Sequence, residues 1–122
     1  MDFEKFEDII AWQKAKELTI CIYKLFEDSK DFGFKNHIQR TSISIMNNIA
    51  EGYERQNNKE FTRFLYIARG SCGEVRSMLI IAKDLNKISG DNFKKLYFLS
   101  VEISKIIYGL IKNLNLVTSY KV

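Results

Sequence analysis

Phe61-Thr62-Arg63-Phe64-Leu65-Tyr66-Ile67-Ala68-Arg69-Gly70-Ser71-Cys72-Gly73-Glu74-Val75-Arg76-Ser77-Met78-Leu79 lies in the middle of a 122-residue chain. Within it and just beyond, Phe61, Phe64, Ala68, Cys72, Val75, Leu79 and Ala82 recur at intervals of three or four. At about 100° per residue such a spacing collects them on one stripe of an α-helix, the seam of a helix-bundle core. Working outward, Ala15, Leu18, Ile22 and Leu25 repeat the pattern, and Ile38, Ser42, Ile45 and Ile49 give a leaner version. Polar and glycine-containing stretches punctuate the chain at Asp28 to Gly33, Gly52 to Asn58 and Lys87 to Asp91. The spacing therefore predicts helices over residues 7–27, 35–53, 59–86 and 91–115, with Asn58 and either Ser89 or Asp91 as N-caps. The chain contains no proline and only six glycines, which disfavours a turn-rich β architecture. An all-α, antiparallel up-and-down four-helix bundle in a single domain follows. Gly70 and Gly73 fall mid-helix, where each costs about 1 kcal/mol relative to alanine, so a close approach by another helix is expected there.

The fourth segment is more apolar than one bundle core requires. Phe93, Leu96, Tyr97, Leu99, Val101, Ile103, Ile106, Ile107, Tyr108, Leu110, Ile111 and Leu114 cover most of its circumference. A core stripe occupies an arc of only a little over 100°. Trp12, Ile20 and Tyr23 on the first helix and Ile67, Ile80 and Ile81 on the third also lie outside the core stripes. Contiguous exposed apolar area on this scale marks subunit contacts. Trp12, Ile20, Tyr23, Ile80, Val101 and Tyr108 are therefore the expected contacts of a homo-oligomer.

With 46% hydrophobic and 28% charged residues the chain has a globular rather than a disordered composition. Cys21 and Cys72 are too few for a disulfide framework, and each sits in a helical pattern, so reduced thiols in a cytoplasmic protein are expected. The opening Met1-Asp2-Phe3-Glu4-Lys5 lacks the basic and apolar regions of a signal peptide, and no apolar run has the length of a membrane span. No membrane partner is expected.

Nothing in the sequence assembles a catalytic or metal-binding set. His37 is the single histidine and precedes Arg40, opposite to the order of helical Arg-then-His ribonucleases. No Glu-x-x-His pair is present for a di-iron bundle. Glu51 and Glu54 supply at most half of a paired acidic motif, since Glu74 is followed by Ser77 and Asp84 stands apart. There is no phosphate-binding glycine loop. A non-enzymatic protein with no cofactor and no metal is expected.

Charge is unevenly distributed. Residues 1–34 carry five lysines against eight acidic residues, whereas all five arginines lie between positions 40 and 76 of a chain with net charge +4. Clustered arginine admits an anionic partner, nucleic acid being the commonest. On the second helix Arg40, Ser44, Asn47, Glu51 and Arg55 share a face, with Glu51 placed to pair with either arginine. On the third, Arg69, Arg76 and Lys83 recur every seven residues beside the core stripe, while Lys59 and Arg63 point outward. The candidate phosphate contacts are Arg55, Lys59 and Arg63, then Arg40, Arg69 and Arg76. The competing expectation is a protein-interaction scaffold in which these cations are consumed in ion pairs.

The stretch Gln39-Arg40-Thr41-Ser42-Ile43-Ser44-Ile45-Met46-Asn47-Asn48-Ile49-Ala50-Glu51-Gly52 resembles the signature of the four-helix-bundle family of 23S rRNA intervening-sequence proteins. So do Phe6 to Gln13, Glu60 to Leu65, and Ala68 to Ser71 with Glu74; the likeness runs from about residue 3 to 114. Met46 stands where the family commonly has proline. The resemblance implies a bundle that assembles into a ring-like homopentamer. It also implies kinship with the accessory subunit of diversity-generating retroelements, where a basic pentamer binds nucleic acid and a reverse transcriptase. Some members are encoded inside insertions of bacterial large-subunit rRNA genes, which records a gene location and not an activity.

Overall fold

The computed structural model describes residues 3–120, with side chains through residue 116. A 3-10 turn at Phe6–Asp8 is followed by α1 (Ile10–Leu25), α2 (Phe32–Glu54), α3 (Asn58–Asp84) and α4 (Gly90–Tyr120). Consecutive helices pack against each other and α1 closes against α4, so that α1 and α3, and α2 and α4, stand diagonally across the bundle. This is the expected four-helix bundle, all-α among the described residues.

The seven seam residues of α3, from Phe61 to Ala82, are all buried. Ala11, Ala15, Leu18 and Ile22 of α1, Ile38, Ile45 and Ile49 of α2, and Leu96, Ile103, Ile107, Ile111 and Leu114 of α4 complete the core. Burying each of the larger aliphatic chains contributes roughly 1.5–3 kcal/mol. α2 is thin on apolar bulk because small groups allow close packing: Ser42 is fully buried, and its carbonyl lies 3.1 Å from the Thr19 hydroxyl of α1.

The ends of the elements depart from the sequence expectation for local reasons. α1 starts at Ile10 and not at residue 7, because extended Ile9 separates it from the 3-10 turn. That turn is held by Gln13 Nε2 donating to the Glu7 carbonyl at 2.9 Å and by the edge of Trp12 against Phe6 at 5.2 Å. α2 starts three residues earlier than expected, at Phe32, because Asp31 caps it by accepting from the Phe34 amide. α3 is capped by Asn57, whose side chain accepts from the Glu60 amide at 3.0 Å, so Asn58 is its first helical residue and not the cap. Ser89 caps α4 as expected, accepting from the Asn92 amide. α2 runs unbroken past Met46, which is half-buried.

The expected close approach at Gly70 does not occur: a Cβ there would meet nothing within 4 Å. It occurs at Gly52 instead, where a Cβ would lie 2.6 Å from Phe64 Cβ and 3.1 Å from the Phe61 ring. Gly52 is buried at the crossing of α2 with the start of α3, and it lets the Phe61 and Phe64 rings lie against the α2 backbone.

Two connections matter for stability. The α2–α3 turn passes through Gln56 at φ 56°, a left-handed conformation that costs an L-residue about 1–2 kcal/mol. Replacing Gln56 by glycine is expected to raise stability by about 0.5–1 kcal/mol, the relief of strain exceeding glycine's own entropy cost. An upward shift of the urea midpoint at unchanged m-value checks this. At the other end of the bundle, Lys87 Nζ lies 3.1 Å from Asp31, tying the α3–α4 loop to the α2 cap. The Phe34 amide, then Lys87, hold the Asp31 carboxyl below its ordinary range. The folded value is thus lower than the unfolded one, so its contribution is present above the unfolded pKa and is lost as pH falls through the folded one. The protection of amides at the start of α2, relative to their intrinsic exchange rates, is expected to fall below about pH 4 in the native chain. In Asp31→Asn, which retains the cap without the charge, that acid-dependent step should vanish.

Candidate nucleic-acid interface

The α2–α3 corner gathers Arg55, Lys59 and Arg63, as the sequence suggests, but with a matching set of carboxylates. Arg55 Nη2 donates to Glu51 at 3.2 Å, and its Nη1 is 4.0 Å from Glu60. Arg63 Nε donates to Glu60 at 3.0 Å and Nη2 at 3.4 Å. Both guanidinium groups also lie over the Phe64 ring, at 5.1 and 4.5 Å. The Arg63 hydrogen bond is the chief cause holding Glu60 below the usual carboxylate range, and Glu60 in turn raises Arg63. Two acids, Glu51 and Glu60, thus face the two arginines. Lys59 is exposed and forms no ion pair among the described residues, and the same holds for Arg40. Ser44 does not share the outward stripe with Arg40: its hydroxyl meets Ser71 of α3 at 3.0 Å and accepts from Asn48.

The heptad-spaced cations of α3 reach α4 in antiparallel register. Arg69 lies over the Tyr108 ring at 4.6 Å and Lys83 over Phe93 at 4.5 Å. Between them Arg76 turns inward: Nη1 donates to Ser104 Oγ at 2.9 Å, to Ser100 Oγ at 3.2 Å and to the Ser100 carbonyl at 3.3 Å. Ser100 passes the chain on by donating to the Cys72 carbonyl, so a half-buried arginine serves as the polar bridge between α3 and α4. Burial pushes the Cys72 thiol up despite these neighbours. Arg76 is thus committed to the fold through one nitrogen, while its other terminal nitrogen passes near Gly73.

One functional candidate was not legible by spacing on a single helix. Lys112 Nζ stands 5.5 Å from the centroid of the same Tyr108 ring that Arg69 covers. Tyr66, Arg69, Gly70 and Arg76 border an open hollow on this side, floored by a glycine with open space above it. No carboxylate pairs with Arg69, Arg76 or Lys112 among the described residues. A basic and aromatic surface whose cations have no carboxylate partner among the described residues therefore runs along the α3–α4 edge. The signal that pairs residues 69 and 112 is the α3–α4 register, which periodicity within either helix does not contain.

The expected subunit contacts divide. Ile20, Tyr23, Ile80 and Tyr108 are exposed, between 40% and 44%. Val101 is half-buried in the α1–α4 groove, and Trp12 is half-buried against Phe6 with Lys16 over its ring. Ile20 and Tyr23 belong to α1 and Ile80 to α3, at diagonal corners of the bundle.

Residues 7–109 match the family model described as 23S rRNA-intervening sequence protein. The chain belongs to this family. A similar solved structure is a crystal structure from Bacteroides thetaiotaomicron, of a protein of unknown function from the S23 ribosomal protein family. It is 26% identical with a TM-score of 0.79, over 84% of this chain and 99% of that one. No curated protein matches. Among the described residues no helix is long and apolar enough to cross a membrane, and no group of three or more histidine, cysteine or acidic side chains is placed to hold a metal ion.

Proposed function

We propose that the protein is a non-catalytic, self-associating bundle that holds structured nucleic acid by its phosphates along the α3–α4 edge. The observation that carries this reading is the placing of Arg69 and Lys112 over one tyrosine ring without a carboxylate partner. A cation resting on an aromatic face keeps its hydrogen-bond donors for an incoming anion, whereas one in an ion pair must first exchange partners. Arg40 and Lys59, exposed and without an ion pair among the described residues, are further cations for the same polymer, whereas Arg76 is committed to the fold. Along this edge the available groups are cations suited to phosphates, so the contact there is with the backbone of the polymer.

Self-association is supported by exposed apolar side chains at two diagonal corners, Ile20 and Tyr23 on α1 and Ile67, Ile80 and Ile81 on α3. Two unlike patches favour a heterologous contact, which closes into a ring or runs on as a filament. The homopentamer that the family resemblance implies is one such ring. Each added copy would multiply weak phosphate sites by avidity.

Titration of the purified oligomer against duplex RNA and duplex DNA at several salt concentrations tests the reading. Submicromolar affinity falling with a log–log slope of several units is expected. Absence of binding at about 50 mM salt overturns it. Light scattering on the same sample should give a closed assembly of more than two copies. The second reading, a scaffold that recruits a protein, draws on the neutralised Arg55–Glu51–Glu60–Arg63 cluster. An intact oligomer with no affinity for either polymer would favour it.

A further inference from the structure

We infer that the cavity at the α2–α3 end of the bundle receives a single unstacked nucleobase, so that the protein prefers nucleic acid with unpaired nucleotides over uninterrupted duplex. The inference rests on the phosphate-binding reading above and adds to it the kind of polymer recognised. The cavity measures about 230 Å³, below the roughly 300 Å³ at which clefts for drug-sized ligands begin and suited to one planar ring. Phe3, Tyr53 and Phe61 supply aromatic walls, and Gln56, Asn57 and Asn58 supply amides.

The polar groups are disposed for a ligand. Tyr53 donates its hydroxyl to the Phe3 carbonyl at 2.6 Å, which fixes two of the walls relative to each other. Tyr53 and Phe61 meet edge to face, with centroids 6.0 Å apart, so both rings are held in place before anything binds. The Asn57 oxygen is engaged in capping α3, which leaves its amide nitrogen. The side-chain amides of Gln56 and Asn58 have no hydrogen-bond partner among the described residues, and each offers a donor and an acceptor. A donor–acceptor pair beside an aromatic wall is the chemistry that recognises the exposed edge and face of an unpaired base.

A further observation agrees. Lys59, the cation of this corner that forms no ion pair, follows Asn58 directly and is exposed to take the phosphate of the same nucleotide. From Phe61 to Arg69 is eight residues of helix, about 12 Å, which puts the α3–α4 basic edge within reach of adjoining nucleotides.

The test uses the full chain and two RNAs, a blunt duplex and the same duplex interrupted by a short unpaired loop carrying a fluorescent adenine analogue. The looped RNA is expected to bind on the order of tenfold more tightly or better, the worth of one stacked base, and the analogue's emission should be quenched. Gln56→Gly removes one amide while relieving the turn, and Asn58→Phe fills the cavity. Both should abolish the preference and the quenching while leaving duplex affinity unchanged. Equal affinities for the two RNAs, or a preference that survives Asn58→Phe, would overturn the cavity assignment and leave the phosphate reading standing. Failure to bind either RNA at low salt overturns both.

Discussion

Gly52→Ala is expected to destabilise the bundle by about 1–3 kcal/mol, opposite in sign to the usual gain when alanine replaces glycine inside a helix. The methyl group would sit 2.6 Å from Phe64 Cβ and 3.1 Å from the Phe61 ring. Neither contact ends on a flexible tip: Cβ of Phe64 is fixed by the α3 backbone, and Phe61 is buried and edged by Tyr53. Relief therefore requires α2 and α3, which pack directly against each other, to separate. Gly70→Ala is the internal control. Its methyl group meets nothing within 4 Å, so helix propensity acts alone and stability should rise by about 0.5–1 kcal/mol. Urea denaturation of the two variants should shift the midpoints in opposite directions. If Gly52→Ala moved upward with Gly70→Ala, the α2–α3 contact would be loose enough to accommodate a methyl group. Because Arg55 and Arg63 both rest on Phe64, the same variant should also weaken the ion pairs on Glu60.

The two glycines also show where sequence reading reaches its limit. The three-four repeat from Phe61 to Ala82 places every seam residue of α3 correctly, because core periodicity is a property of one helix and survives any arrangement of its neighbours. A glycine's role depends on what stands opposite, and only the packing shows that Gly52 faces Phe64 while Gly70 faces open space. Helix starts lay between these cases. Ser89 was legible as a cap, but the adjacent asparagines 57 and 58 are equivalent in sequence, and φ −145° at Asn57 decides between them. The cations divide in the same way. Pairing of Arg55 with Glu51 is an i,i+4 relation and visible in the chain. The turn of Arg76 toward Ser100 and Ser104, and the meeting of Arg69 with Lys112 on Tyr108, follow from the antiparallel register of α3 and α4. The arginine cluster was thus legible as composition, and its division into committed and available groups was not.

That division carries the largest functional prediction. Changing Arg69 and Lys112 together to alanine should weaken nucleic-acid binding about tenfold at low salt and reduce the log–log salt slope by about two, one unit for each phosphate contact removed. Changing Arg55 and Arg63 together to glutamine should do less, because each already shares a carboxylate and would have to give up Glu51 or Glu60 before meeting a phosphate. Stability separates the two cases as well. Arg69 is exposed and its loss forfeits only the ring contact, on the order of 0.5–1 kcal/mol, so the double alanine variant should stay folded. Arg76→Ala, by contrast, strips Ser100 and Ser104 of a shared donor inside the α3–α4 contact and should cost about 1–3 kcal/mol while changing the salt slope little. Salt slopes measured for all three variants on one RNA rank the surfaces directly. A slope that falls with the Arg55–Arg63 pair and holds with Arg69–Lys112 would move the phosphate path from the α3–α4 edge to the α2–α3 corner.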